Sequence, residues 1–119
     1  MKRWENVTVT IKTRDGLRTF FADSVAYCEY MRHNVIYTLL SGERVETTTI
    51  SGSFADHIAP LLRNRRFIRP HAAYAVNMSR VERLSKEGFL LQGGTFISVS
   101  GKQYAAVRNA YMNYRLGEV

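Results

Sequence analysis

Phe67-Ile68-Arg69-Pro70-His71-Ala72-Ala73-Tyr74-Ala75-Val76-Asn77-Met78-Ser79-Arg80-Val81 interleaves apolar, cationic and amide residues in an order that packing alone does not require. Phe67, Tyr74, Val76 and Val81 suit a core, whereas Arg69, His71 and Asn77 are hydrogen-bonding groups. Alternate residues of an extended segment share a face, so the spacing predicts Arg69 and His71 side by side on one face. The flanking sequence is β-rich on both sides. Upstream, Val7, Val9 and Ile11 alternate along 7–13, and Arg14-Asp15-Gly16 supplies a turn into 17–21, which predicts a hairpin. Two further β-rich runs, 25–30 and 35–40, are separated by the polar Met31-Arg32-His33-Asn34, and Ser41-Gly42-Glu43 turns into a run over 44–50.

At Ser51-Gly52-Ser53 the period lengthens. Ser53 with Asp56 three residues on resembles a capping box, and Phe54, Ile58, Leu61 and Leu62 share one helical face, which predicts a helix of about nine residues. Pro60 removes a backbone hydrogen bond, so the helix should kink or end near it. Strands are expected again at 67–68, 81–84, 89–91 and 95–99, with turns at Lys86-Glu87-Gly88 and Gln92-Gly93-Gly94. From Lys102 to Leu116 the period is again helical: Tyr104, Val107, Tyr111 and Tyr114 or Arg115 form a stripe, with Ser100 as the expected N-cap and Gly117 as the C-cap. The fold class is mainly β, with layered antiparallel sheets, a short central helix and a C-terminal helix. At 119 residues the chain suits one domain, residues 1–119, with a single modest core.

Charge is unevenly spread. Residues 1–60 hold seven Lys/Arg and seven Asp/Glu, and residues 61–119 hold ten and three, so the whole net charge of +7 lies in the second half. Such an excess suits a polyanion through counterion release, and it would also serve solubility or an acidic protein partner. The lone Cys28, between aromatics in Ala26-Tyr27-Cys28-Glu29-Tyr30, allows no intrachain disulfide and reads as a buried structural thiol, in keeping with a reducing cytoplasm. No apolar run approaches a membrane span, and Met1-Lys2-Arg3-Trp4-Glu5 lacks the apolar stretch of a signal peptide. His33, His57 and His71 are spread along the chain, so no closed metal site assembles at usual ligand spacings, and no cofactor is implied.

The order of the Phe67–Asn77 run resembles the F-x-R-x-H-x-S-Y-x-V-N motif of the LytTR family, the β-rich DNA-binding domains usually attached to bacterial response regulators of two-component systems. Tyr27-Cys28-Glu29 before a polar loop, and Ile97, Val99 and Ser100 before a terminal helix carrying Val107-Arg108-Asn109, extend the resemblance over essentially the whole chain. Arg69 and His71 match family positions. Ala72 stands where a polar residue is common, Ala73 replaces the usual Ser, and Ser98 and Gly101 replace the Pro and Arg of the I-P-V-S-R pattern. The resemblance implies layered sheets that insert loops from one edge into successive grooves of duplex DNA, commonly as two copies on repeated half-sites, to regulate transcription. The usual phosphorylatable receiver is absent from this sequence, which is either an effector domain whose intact protein includes a receiver or a stand-alone regulator.

Three groups of residues are candidates for contact. Arg32, His33 and Asn34 form either an ordinary polar hairpin tip or a projection that enters a major groove and touches bases. The run Arg63-Asn64-Arg65-Arg66 with Arg69 places four arginines in seven residues, which are either solvated or paired with a diffuse anion. Arg65, Arg66 and Arg69 are the expected phosphate contacts there, with His71 as a base contact. At the start of the last helix, free backbone N–H groups with Ser100, Lys102 and Asn109 suit phosphate, while Arg108 suits guanine unless it is a plain surface arginine. A small RNA- or single-strand-binding β-barrel, using Tyr and Phe as stacking platforms, is the main alternative. An interaction module built on an exposed edge strand is a third. An enzyme is not expected, because Ser100, His71 and Asp56 lie on three elements without a nucleophile-elbow glycine pattern.

Overall fold

The computed structural model describes residues 7–117, and the charged stretch Met1–Glu5 lies outside them. Hairpin patterning gives β1 (Thr8–Thr13) and β2 (Gly16–Phe21), paired in a two-stranded sheet of their own. The chain then builds β3 (Val25–Met31), β4 (Asn34–Leu39) and β5 (Arg44–Glu46), followed by α1 (Phe54–Leu62), β6 (Phe67–His71) and β7 (Tyr74–Asn77). These five strands form one antiparallel sheet in the order β5-β4-β3-β7-β6. A third sheet, ordered β10-β9-β8, comprises β8 (Val81–Leu84), β9 (Gly88–Leu91) and β10 (Phe96–Ser98), and α2 (Tyr104–Leu116) closes the chain.

The central sheet is covered on both faces. Val25, Cys28, Val35, Tyr37, Phe67 and Ala75 join Ile11 and Phe20 of the hairpin and Phe54, Ile58 and Leu61 of α1 in one core. Tyr27, Ile68, Tyr74 and Val76 face the other way, into a core shared with Phe89, Leu91 and Ile97 of the third sheet and with Val107 and Tyr111 of α2. Neighbouring residues thus enter opposite cores, as the two-residue period of a strand demands. Cys28 is fully buried, and burial pushes its thiol well above the usual range, so it packs as a small apolar group. Tyr37 and His57 link the sheet to α1 through a 2.9 Å hydrogen bond, and burial lowers the His57 pKa so that the ring stays neutral.

Several boundaries differ from expectation. The expected strand 44–50 stops at Glu46 because Thr47 turns inward: its buried hydroxyl accepts from the Val35 amide at 2.9 Å, and the chain then crosses to β1, where the Thr48 amide donates to the Lys12 carbonyl. The helix around Pro60 begins as expected, with the Asp56 amide donating to Ser53 Oγ at 3.0 Å, and it continues to Leu62. The strand expected at 67–68 extends to His71, since β6 is an outer strand in which Pro70 lies at a register shift and takes no ladder bond from the sheet. β7 was not expected as a separate strand, because burial on both faces erases the alternation that marks one. Ser100 does not cap α2. It closes a preceding turn, donating to Gln103 Oε1 at 3.2 Å, and Gln103 takes the cap position with no side-chain bond to the free amides of the helix. Gly117 does terminate the helix in the left-handed conformation, at φ 72°.

Candidate nucleic-acid interface

One end of the central sheet gathers the β3–β4 turn, the end of β6, the β6–β7 turn and the start of α1. The β3–β4 connection is only two residues long, Arg32-His33, and both have positive φ, 52° and 72°. This is the backbone of a type I′ hairpin turn, which ordinarily selects Asn-Gly. A branched or long side chain in the left-handed region costs roughly 1–2 kcal/mol, so this turn holds its arginine and histidine at a cost in stability. Both are exposed. The surroundings hold them: the Ile50 amide donates to the His33 carbonyl at 2.9 Å, and the Tyr30 hydroxyl lies 3.1 Å from His33 Nδ1. Tyr30 itself packs on Phe54 at the start of α1. Asn34 is half-buried, and its Nδ2 donates to Glu46 at 2.9 Å, so it is already engaged in bracing the turn.

Arg69 and His71 reach the same end of the sheet but not the same face. The register shift between Ile68 and His71 breaks the expected alternation. Arg69 lies on the α1 side, its guanidinium carbon 5.7 Å from the Phe54 ring centre, with Nη2 donating to the Ala72 carbonyl at 2.8 Å. Its buried Nε–H has no partner among the described residues. His71 lies on the opposite side, edge-on to Tyr74 with ring centres 5.4 Å apart. Its Nδ1 accepts from the Ala73 amide at 3.2 Å, so the neutral ring carries its proton on Nε2 and can donate outward. Tyr74 donates to Glu29 at 3.2 Å, and burial with the Glu29 charge raises its pKa, which keeps the hydroxyl a donor.

Arg65 and Arg66 sit at the other end of β6. Five residues separate them from the His71 end, about 16 Å of strand. The single arginine run in the sequence therefore becomes two groups in space. Arg66 pairs with Asp23 at 3.0 Å, and Arg65 stacks over Tyr114 of α2. Ser100, Lys102, Arg108 and Asn109 are all exposed, and among the described residues Arg108 makes a single 3.4 Å contact, donating to neighbouring Asn109 Oδ1. Tyr104, in the first turn of α2, joins the second core together with Tyr74, so the helix start and the His71 side of the β6–β7 turn belong to one layer. Ser100 and His71 have hydrogen-bond partners within their own turns, and neither bonds to Asp56.

Sequence reasoning passed over Tyr30 and Ile50, which hold the strained turn, and named Arg115 only as an alternative to Tyr114 in the helical stripe, whereas it stacks on both Tyr111 and Tyr114. The i, i+4 spacing of Tyr111 and Arg115 was a readable sign of that stacking.

No family model matches the chain, and no curated protein matches it. Among solved structures it is similar to a LytTr DNA-binding domain from Bacillus cereus, at 20% identity, with a TM-score of 0.70 over 87% of this chain and 94% of that one. The fold is LytTR-like. No helix among the described residues is long and apolar enough to cross a membrane.

Proposed function

We propose that this chain binds duplex DNA in a sequence-specific manner and regulates transcription, with two copies on repeated half-sites. The observation that carries the reading is the Arg32-His33 turn: backbone strain held by Tyr30 and Ile50 to expose two hydrogen-bonding side chains on a LytTR-like fold. Arg32, His33 and Arg108 are assigned to base edges, with Asn34 bracing the turn and within reach of the same groove. His71 is assigned to the intervening minor groove, and Arg69, Ser100, Lys102 and Asn109 to phosphates. Arg65 and Arg66 stand apart from this set because β6 carries them to the far end of the sheet. The large aromatics exposed among the described residues, Phe21 and Phe96, lie on different sheets, which offers no stacking platform for single strands.

The test replaces Arg32-His33 with Asn-Gly. The new turn relieves the left-handed strain, so the fold is expected to gain about 1–2 kcal/mol in urea denaturation. Preference in one protected block of a selected DNA site should disappear. Arg108→Ala should cost about 1–3 kcal/mol on that site and relax preference in a second block about 10 base pairs away. Arg69→Ala should weaken all sequences alike. If the Asn-Gly protein is more stable and reads DNA as before, the turn has no part in recognition. Repeating the selection with single strands decides against duplex binding if they bind as tightly.

A further inference from the structure

We propose that the entry to β6 and the C-terminal half of α2 form a docking socket for an acidic segment of a partner protein in which carboxylates flank an apolar side chain. Arg65, Arg66, Tyr114 and Arg115 line an open depression of about 290 Å³. Two of these guanidiniums share one aromatic support: Arg65 lies 5.9 Å and Arg115 5.8 Å from the centre of the Tyr114 ring. Arg115 is fixed further, its Nη2 donating to the Val81 carbonyl at 2.7 Å and its Nε to the Tyr111 hydroxyl at 3.1 Å. Such anchoring holds like charges together and spares the ordering cost that a flexible cation would meet on binding a carboxylate. Asp23 pairs with Arg66 at 3.0 Å, an acidic side chain already seated at the rim of the socket.

A second cleft of about 240 Å³ adjoins the first and shares Arg65 and Tyr114 with it. Phe67, Ile68, Met78 and Ala110 make it largely apolar. A cationic socket continuous with an apolar cleft matches a peptide carrying Asp or Glu beside a Leu-sized residue, and a nucleic-acid backbone has no group for the cleft. The site is also open and strongly charged, unlike the mostly apolar, enclosing pockets that hold small molecules. It lies at the opposite end of β6 from the Arg32-His33 turn, so a partner seated here leaves that turn accessible. The proposal does not depend on DNA binding.

The experiment titrates the isotope-labelled chain with an acetylated Asp-Leu-Asp-Asp amide while following the Nε–Hε signals of Arg65 and Arg115 and the ring of Tyr114. Control titrations use the peptides with Ser in place of Leu and with Lys in place of Asp, inorganic phosphate, and a duplex. Saturable shifts at these three residues are expected, weakened about tenfold by Arg65→Gln and several-fold by the Ser peptide. Arg65 is the variant of choice because its side chain is exposed, so thermal unfolding should be unchanged, whereas Arg115→Gln also loses the bond to Val81. The proposal is overturned by no shift, by equal shifts with the Lys peptide, or by phosphate competing as well as the peptide, which would mean a plain anion site. A loss of duplex affinity in Arg65→Gln equal to that in Arg69→Ala would instead make Arg65 a DNA phosphate contact.

Discussion

Raising the salt from about 50 mM to about 200 mM is expected to weaken binding to a selected duplex roughly a thousandfold. The ten-to-three excess of basic over acidic residues in the second half of the chain sets the sign. Folding leaves most of that excess available: of those ten, Arg66 is the one that forms an ion pair among the described residues, while Arg18–Glu43 and Arg44–Glu29 neutralise charges of the first half. If about six phosphates are contacted, log K falls with log salt at a slope near −5, and a fourfold rise in salt then costs about three powers of ten. With Arg69 as one of the proposed phosphate contacts, Arg69→Ala should make the slope shallower by about one unit. Binding measured by fluorescence anisotropy across a salt series decides it. A slope near zero would remove the electrostatic basis of the reading. Because Arg69 also holds the Ala72 carbonyl and covers Phe54, its variant needs a denaturation control before the slope is interpreted.

Much of the architecture is written locally in the chain, and the parts that are not share a physical cause. The β1–β2 hairpin and α1 were readable because each decision is settled by adjacent residues: alternation with a turn glycine in one, Ser53 and a helical apolar stripe in the other. β7 was not readable because Ala75 and Val76 are buried in different cores, which removes the polar half of the pattern. The placement of Arg69 and His71 on opposite faces depends on a register shift that only pairing with β7 creates. Likewise Arg63, Arg65, Arg66 and Arg69 read as one cluster because sequence distance ignores the direction in which β6 carries the chain.

Asn77 shows the same limit from the other side. It stands out in the motif as a polar group, yet it is 1% exposed, donates to the Val25 carbonyl at 2.9 Å and accepts from the Ser79 amide and hydroxyl. Its place in the pattern reflects a buried bond between β7 and β3, not contact with a ligand. Conversely, the turn that best supports function carries no Asn or Gly to announce its geometry. Arg32-His33 departs from the local turn rules, the kind of departure that the proposed recognition role would account for.

Gly88→Ala is expected to destabilise the fold by about 4 kcal/mol, a large share of a typical domain's stability. Two causes add. Gly88 has φ 155°, and a Cβ built there would fall 2.3 Å from the Ile97 carbonyl oxygen and 2.7 Å from Ser98 Cα, both backbone atoms of β10. Backbone in a paired strand cannot yield as a side-chain end can, so β10 must leave β9 or the turn before Gly88 must open. That turn is closed by reciprocal bonds between Ser85 and Gly88, at 2.9 and 3.1 Å, and the Glu87 carbonyl holds the Val99 amide at 3.1 Å. Displacing β10 would loosen Ile97 and Val99 in the second core and free the Ser100 turn that leads into α2. Duplex affinity should therefore fall in parallel with stability, through the Arg108 side of the interface before the Arg32-His33 side. Gly94→Ala is the control: φ is 100° there, but nothing lies within 4 Å, so only the left-handed backbone cost of about 1 kcal/mol applies. Urea denaturation of the two variants separates crowding from backbone strain. Equal midpoints would show that β9 and β10 do not approach at Gly88 as closely as the fold requires.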